Sequence, residues 1–176
     1  MKGSATGWRE RPPLVVVMGI SGAGKTTVGG LLAHRLALPY ADGDSFHSPA
    51  NIAKMASGVP LAEADRAPWL AAIGSYLHAH AQTGAVVSCS ALRRAYRDML
   101  SAAAPRTLYL HLTGSAALIR ERVVRREQHF MPALLLESQI AALEPLGADE
   151  RGVVLDVGAA PEQIVDTFLQ RAASIA

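Results

Sequence analysis

The sequence predicts an α/β fold in which a parallel five-stranded sheet is flanked by helices. Two features of the chain carry this prediction. Short apolar, β-branched runs alternate with longer helical stretches, and this alternation is typical of parallel sheets whose strands are buried on both faces. A glycine-rich loop pattern directly follows the first apolar run, which is the strand, loop and helix order of P-loop folds.

The predicted elements follow one another without a linker or an internal repeat. The first strand reads LVVVM, and the later apolar runs are as short and as nearly continuous. The five predicted strands cover residues 14–18, 38–41, 85–89, 107–112 and 153–157, of which the second is the weakest. The predicted helices cover residues 26–36, 67–83, 93–103, 116–126, 132–143 and 161–173. Because ligands of such folds bind at the carboxyl ends of the strands, polar residues that follow a strand are candidate site residues.

Length and composition indicate one domain. The chain has 176 residues, of which 50% are hydrophobic, and this is enough to bury the core of a single domain. We assign residues 14–176 to the domain and residues 1–13 to a flexible N-terminal tail without an apolar signal-peptide region. No run approaches the roughly 18 apolar residues of a membrane helix. We therefore expect a cytoplasmic protein that has no membrane partner.

The charge distribution favours a local anionic ligand over a nucleic acid. The formal net charge is +2, aromatic residues make up 5% of the chain, and the arginines concentrate between Arg93 and Arg126. Proteins that bind nucleic acid usually carry a basic stripe with interleaved aromatic residues. The single cysteine, Cys89, excludes an internal disulfide framework.

The phosphate-loop pattern Gly-x4-Gly-Lys-Ser/Thr is met by Gly19, Gly24, Lys25 and Thr26. Backbone N–H groups of such a loop cradle phosphates, the lysine reaches the β and γ oxygens, and the hydroxyl can ligate Mg²⁺. The sequence therefore predicts that this loop binds a nucleoside triphosphate together with Mg²⁺. The residues expected to bind the nucleotide are Gly19, Ser21, Gly22, Ala23, Gly24, Lys25, Thr26 and Thr27.

Two carboxylates, Asp42 and Asp44, follow the second predicted strand. In a loop that faces a phosphate loop, one carboxylate can orient hydrated Mg²⁺ while the other takes the proton of a substrate hydroxyl. We assign Asp42, with Thr26, to the metal and Asp44 to the substrate. The alternative is that Asp44 only caps the following helix.

Several longer segments resemble the gluconate kinase (gluconokinase) family. They run in register from about Gly19 to Glu150, and they are more selective than the phosphate loop. The matching segments read GISGAGKTTVGGLLA, DGDSFH, SGVPLAEADRAPWL, CSALRRAYRD, HLTGS, RREQHFMPALLLESQ and LEPLGADE. The chain departs from the family pattern at Pro49, at the pair Arg93 and Arg94, and at Gln128.

The resemblance implies a fold like that of nucleoside monophosphate and shikimate kinases. It implies transfer of the ATP γ-phosphate to the 6-hydroxyl of D-gluconate, giving 6-phospho-D-gluconate and ADP, by a homodimer. Residues 127–138 correspond to a lid that closes over the nucleotide. The residues implied in substrate binding are Asp44, His47, Arg66, Arg97 and His129.

Arg122 and Arg126 lie on the predicted helix that leads into the lid. We expect both to neutralise the transferring phosphoryl group, and Arg122 also to lie near the adenine beside residues 158–161. The alternative is a solvated helix face. Arg66 has a second interpretation too, as part of a salt-bridged helix start with Asp65 at the cap.

Two other functions are also compatible with the sequence. One is a kinase of another small acceptor, such as shikimate or adenylylsulfate, although CSAL stands where a shikimate site would have a glycine triplet. The other is a nucleotide-dependent switch that is not an enzyme. Such a switch has little need of both an acidic pair and an arginine-rich lid.

Overall fold

The computed structural model describes residues 11–125 and 133–175. Within these ranges a five-stranded sheet is flanked by seven helices. The elements in chain order are β1 (Leu14–Met18), α1 (Lys25–Leu36), β2 (Tyr40–Asp42), a 3-10 turn (Gly43–Phe46), α2 (Pro49–Ala56), α3 (Glu63–Ala79), β3 (Ala85–Ser88), α4 (Arg94–Ala103), β4 (Thr107–Thr113), α5 (Ala116–Arg125), α6 (Ala133–Ala142), β5 (Gly152–Asp156) and α7 (Pro161–Ala172).

All strand pairs are parallel, and the strand order is β2-β3-β1-β4-β5. The predicted α/β fold with a parallel five-stranded sheet is confirmed. Because β1 is the central strand, the phosphate loop that follows it emerges between β3 and β4. The strand order in the sheet therefore places the carboxyl ends of β2 and β3 on one side of this loop. The carboxyl ends of β4 and β5 lie on the other side.

The alternation of side chains along β1 divides the core into two layers. Val15 and Val17 pack with helices α1 and α7 on one face of the sheet. Leu14, Val16 and Met18 pack with helices α3 and α4 on the other face. All five side chains are buried, which explains why this strand reads as a continuous apolar run instead of an alternating one.

The structure changes some predicted boundaries. Pro13 is buried, and its carbonyl oxygen accepts a hydrogen bond from Ala85 N at 3.1 Å. Pro13 therefore belongs to the domain, and the tail expected at residues 1–13 is shorter than the sequence predicts. Helix α3 begins at Glu63, four residues before the predicted start, and Pro68 lies inside it. Pro68 is the sixth residue of this helix, so the helix forms without the hydrogen bond that an N–H at this position would donate to the carbonyl oxygen of Ala64.

Helix α2 was not predicted. It begins with Ser48 at the N-cap, whose hydroxyl accepts from Asn51 N at 3.2 Å, and with Pro49 at the first helical position. The shifted proline noted in the sequence is thus the residue that starts this helix. In the described residues, no helix is long and apolar enough to cross a membrane.

Candidate active site

The phosphate loop joins β1 to α1 at the carboxyl edge of the sheet. Gly22 and Gly24 have φ angles of 81° and 89°, which a residue with a side chain rarely adopts. A Cβ atom at Gly22 would lie 2.7 Å from the Val123 side chain. These glycines let the loop turn tightly ahead of α1, so that N–H groups at the helix start are available to an anion. The Lys25 ammonium donates to Ile20 O at 3.0 Å.

The metal-binding pair predicted from the sequence lies close together in space. Thr26 Oγ1 is 3.5 Å from Asp42 Oδ2, although Thr26 lies in the first turn of α1 and Asp42 is the last residue of β2. A hydroxyl and a carboxylate at this spacing fit Mg²⁺, which retains several waters and takes few protein ligands besides phosphate oxygens. No group of three or more metal-ligating side chains occurs in the described residues.

The turn after β2 fixes the position of Asp44. Asp42 Oδ1 accepts from Asp44 N at 3.0 Å, so Asp42 caps the 3-10 turn and Asp44 does not cap α2. Trp69 Nε1 donates to Gly43 O at 2.7 Å. A Cβ atom at Gly43 would collide with the carbonyl oxygen of Ser88. This close packing against the end of β3 fixes the position from which Asp44 enters the pocket.

One pocket lies between the phosphate loop and the turn that carries Asp44, and α3 and α4 form one of its walls. We call this the acceptor pocket. Its lining residues are Ser21, Lys25, Asp44, His47, Met55, Pro60, Leu61, Arg66, Trp69, Ser90, Leu92, Tyr96, Ser138, Gln139 and Ala142. Five of the predicted site residues therefore share one cavity: Ser21, Lys25, Asp44, His47 and Arg66.

The positive charge in the acceptor pocket is oriented by Glu63 at the start of α3. Arg66 Nη1 lies 3.6 Å from Glu63 Oε1, and its guanidinium lies 5.8 Å from the centre of the Tyr96 ring. Tyr96 Oη donates to the same carboxylate at 2.7 Å, and Arg93 approaches it at 3.0 Å. The sequence offered Asp65 as the cap of this helix. In the structure Asp65 occupies the third helical position and accepts from Ala62 N at 2.8 Å.

The His47 ring is buried and stacked against Trp69, with ring centres 4.4 Å apart and an angle of 12° between the planes. Burial lowers the pKa of His47, Arg66 acts in the same direction, and Asp44 opposes them. The imidazole is therefore neutral at physiological pH and can exchange hydrogen bonds with a polar ligand.

A second cavity, the nucleotide pocket, lies on the other side of the phosphate loop. It is lined by Gly22, Ala23, Gly24, Thr27, Val28, Arg122, Val157, Ala159, Pro161 and Ile164. Arg122 Nη2 donates to Val157 O at 2.8 Å, which holds the guanidinium over the loop after β5. Arg122 and the loop of residues 158–161, which we expected to lie together, thus line one pocket directly beside the phosphate loop.

Arg97 does not line the acceptor pocket, contrary to the substrate-binding role expected of it. It is buried, with 1% of its side chain exposed, and it pairs with Glu150. Its Nη1 donates to the carbonyl oxygens of Ala91 and Leu92, and its Nη2 donates to that of Pro145. The guanidinium is fully used in joining α4 to the loop before β5, because a buried charge requires such partners.

Gln139 on α6 was missed by the sequence analysis. Its Oε1 accepts from Ser21 N in the phosphate loop at 2.7 Å, and the side chain lines the acceptor pocket. The residue lies in the SQ pair of a matching segment, but nothing in its type or spacing indicates a contact with a loop so distant in sequence. Arg126, His129 and the first half of the predicted lid, residues 127–132, lie outside the described residues.

Comparison with known proteins assigns the family. The shikimate kinase profile matches residues 21–173. The chain therefore belongs to the shikimate kinase family, a class of P-loop kinases. The chain is 43% identical over 162 residues to a gluconokinase of Gluconobacter oxydans, covering 91% of each chain. It is 44% identical over 142 residues to the thermosensitive gluconokinase of Escherichia coli, covering 79% of this chain and 75% of the relative.

A solved structure agrees with these relatives. The crystal structure of a gluconokinase from Sinorhizobium meliloti superposes with a TM-score of 0.85 at 43% identity, covering 94% of this chain and 96% of that chain. Within the shikimate kinase family, the chain belongs to the gluconokinases. The resemblance found in the sequence is confirmed.

Proposed function

We propose that this protein is a gluconokinase that transfers the γ-phosphate of ATP to the 6-hydroxyl of D-gluconate. The relatives that are named gluconokinase support the substrate. The observation that carries the proposal is that Lys25 and Asp44 line one pocket. The Lys25 ammonium is thereby available to the phosphoryl oxygens, and the Asp44 carboxylate is available to the acceptor hydroxyl.

Phosphoryl transfer depends on positioning and on charge stabilisation. In the proposed mechanism the nucleotide base occupies the nucleotide pocket, and N–H groups of the phosphate loop bind the β and γ phosphates. Asp44 accepts a hydrogen bond from the acceptor hydroxyl and takes its proton as the bond to phosphorus forms. Lys25 stabilises the charge on the transferring group and on the leaving ADP. Arg122 lies on the nucleotide side and adds positive charge there.

The acceptor is held by the remaining polar side chains of the acceptor pocket. His47 and Arg66 offer hydrogen bonds and a positive charge to a polyol that carries a carboxylate. Tyr96 and Trp69 supply flat surfaces against which the carbon chain packs. Thr26 and Asp42 would hold Mg²⁺, directly and through water, and the ion would neutralise charge on the β and γ phosphates.

Two further properties belong to the proposal. We infer a homodimer, as the family resemblance implies, which light scattering of the purified protein at several concentrations tests. The cytoplasmic location expected from the sequence stays a prediction. Use of ATP agrees with it. Transition-state roles for Arg126 and a substrate contact for His129 also stay predictions.

The decisive experiment measures ADP release by the purified full-length protein with a panel of acceptors. The panel contains D-gluconate, shikimate, adenylylsulfate and no acceptor, and the product is identified by phosphorus and carbon NMR. We expect ADP release that depends on D-gluconate, with phosphate on the 6-hydroxyl. Release with shikimate or adenylylsulfate instead would assign another acceptor. Nucleotide binding without turnover on any acceptor would assign a nucleotide-dependent switch.

A further inference from the structure

Asn51 is a buried polar residue that the proposed mechanism does not use. It lies on α2, 5% of it is exposed, and it does not line the acceptor pocket. Its side chain points inward between α2 and the start of α3. There it contacts two groups, the backbone carbonyl of Asp65 and the ring of His47.

The contact with Asp65 fixes the orientation of the Asn51 amide. Asn51 Nδ2 lies 2.8 Å from Asp65 O. A carbonyl oxygen can only accept a hydrogen bond, so the atom beside it must be the amide nitrogen and not the amide oxygen. This nitrogen carries two hydrogens, of which one is used by Asp65 O. Nδ1 of His47, at 3.4 Å, lies within reach of the second.

The orientation of the amide determines which nitrogen of His47 carries the proton. Since Asn51 Nδ2 is a donor, Nδ1 of His47 must accept, and a neutral imidazole then keeps its proton on Nε2. Stacking on Trp69 restrains the plane of the ring. Among the described residues His47 Nε2 makes no hydrogen bond, although the ring lines the acceptor pocket.

We propose that Asn51 is a positioning residue that holds His47 in the Nε2–H tautomer, so that Nε2 donates a hydrogen bond to an oxygen of the acceptor. The inference rests on the proposed function, since it deepens the role of His47 in the acceptor pocket. It implies that the pocket selects at this point for an acceptor oxygen with a free lone pair, a hydroxyl or a carboxylate. A ligand that presents only a donor N–H group there would be rejected.

The first test needs no activity. Nitrogen-15 NMR of the uniformly labelled full-length protein distinguishes a protonated from an unprotonated ring nitrogen, and the His47→Gln variant identifies the His47 signals by their loss. We expect Nε2 protonated and Nδ1 unprotonated at neutral pH. A majority of the Nδ1–H tautomer in the wild-type protein would overturn the proposal. Absence of gluconate phosphorylation would instead refute the proposed function and leave this result standing.

The second test separates positioning from a purely structural role. Asn51→Leu removes the donor, so we expect a mixed tautomer at His47 and a KM for D-gluconate raised about three- to tenfold, the scale of one neutral hydrogen bond. The KM for ATP should not change. In a His47→Gln background, whose amide nitrogen can replace Nε2–H, Asn51→Leu should no longer alter the KM for D-gluconate. An equal effect in both backgrounds would contradict the proposal.

A variant of opposite polarity provides a check that does not depend on tolerance of leucine. Asn51→Asp keeps the shape of the side chain but presents an acceptor to Nδ1. We expect its His47 to carry a proton on Nδ1, because the carboxylate accepts a hydrogen bond there. A His47 that keeps only the Nε2 proton in this folded variant would show that Asn51 does not set the tautomer.

Discussion

At the scale of single residues, the proposed chemistry rests on two opposite charges that line the acceptor pocket, Lys25 and Asp44. Lys25 comes from the start of α1 and Asp44 from the turn after β2. Neither residue contributes to the buried core. Substitution of either should therefore alter turnover far more than stability.

We predict that Lys25→Met lowers kcat by several orders of magnitude while the protein stays folded, because a charge that stabilises the transferring phosphoryl is lost. Steady-state kinetics and circular dichroism measure the two quantities. Lys54→Met is the matched control, since Lys54 is 45% exposed and pairs with Asp65 outside the pocket. Turnover near that of the wild type in folded Lys25→Met would refute the role of the phosphate loop.

For Asp44→Asn we expect gluconate-dependent ATP consumption to collapse, because the amide keeps the shape but cannot take the proton. The dissociation constant for ATP, measured by titration calorimetry, should stay within a few-fold. Asp98→Asn serves as the control, since Asp98 is an exposed partner of Arg94. Loss of ATP binding in Asp44→Asn would mean that Asp44 serves the metal and that Asp42 is the base.

At the scale of elements, the buried pair of Arg97 and Glu150 connects α4 to the loop before β5. We predict that Arg97→Met lowers the free energy of unfolding by about 3–5 kcal/mol, the cost of leaving a buried charge unpaired. The KM for D-gluconate should change little, because Arg97 does not line the pocket. Urea unfolding measures the free energy of unfolding, and steady-state kinetics measures the KM.

The control Arg35→Met removes an exposed pair with Asp166 and should lower the free energy of unfolding by less than about 1 kcal/mol. A large KM effect without destabilisation would restore the direct substrate role.

Helix α6 is joined to the phosphate loop through Gln139. We predict that Gln139→Ala speeds amide hydrogen exchange over residues 133–142 about three- to tenfold in the protein without ligands, as the loss of one hydrogen bond would. Gln163→Ala is the control, since Gln163 Oε1 accepts from Ala160 N at the start of α7. Equal exchange in Gln139→Ala and the wild type would mean that packing alone holds α6.

At the scale of the whole molecule, the Arg97 and Glu150 pair also links stability to pH. Burial on its own would raise the pKa of Glu150, but Arg97 and the Gly147 N–H outweigh it and hold that pKa below its ordinary value. Because the pKa is lower in the folded than in the unfolded state, the pair stabilises the fold above the unfolded pKa, about 4.3. This stability is lost as the pH falls through the folded pKa.

We therefore predict that the wild-type protein loses more free energy of unfolding between pH 6 and pH 3, on the order of 1 kcal/mol or more, than Glu150→Gln does. Glutamine cannot titrate, so its contribution stays constant over this range. Denaturant unfolding at a series of pH values makes the comparison, with Glu162→Gln on the exposed first turn of α7 as control. Parallel pH profiles for the wild type and Glu150→Gln would contradict the linkage.

The sequence by itself determined the fold class, the phosphate loop and the acidic pair. These are local patterns, since an apolar run, a glycine spacing or two neighbouring carboxylates are visible in a few consecutive residues. The second strand was predicted at residues 38–41 but covers Tyr40–Asp42, and helix α2 was not predicted at all. Such short elements depend on their neighbours more than on their own propensity.

Only the tertiary structure decided how the polar side chains divide between the site and the core. Arg97 and Arg66 read alike in the sequence, yet one is paired with Glu150 in the interior while the other lines the acceptor pocket. The same holds for Gln139, which meets the phosphate loop through packing of α6. Partners distant along the chain determine whether a charged group is buried and satisfied or left for a ligand, and no local pattern encodes such partners.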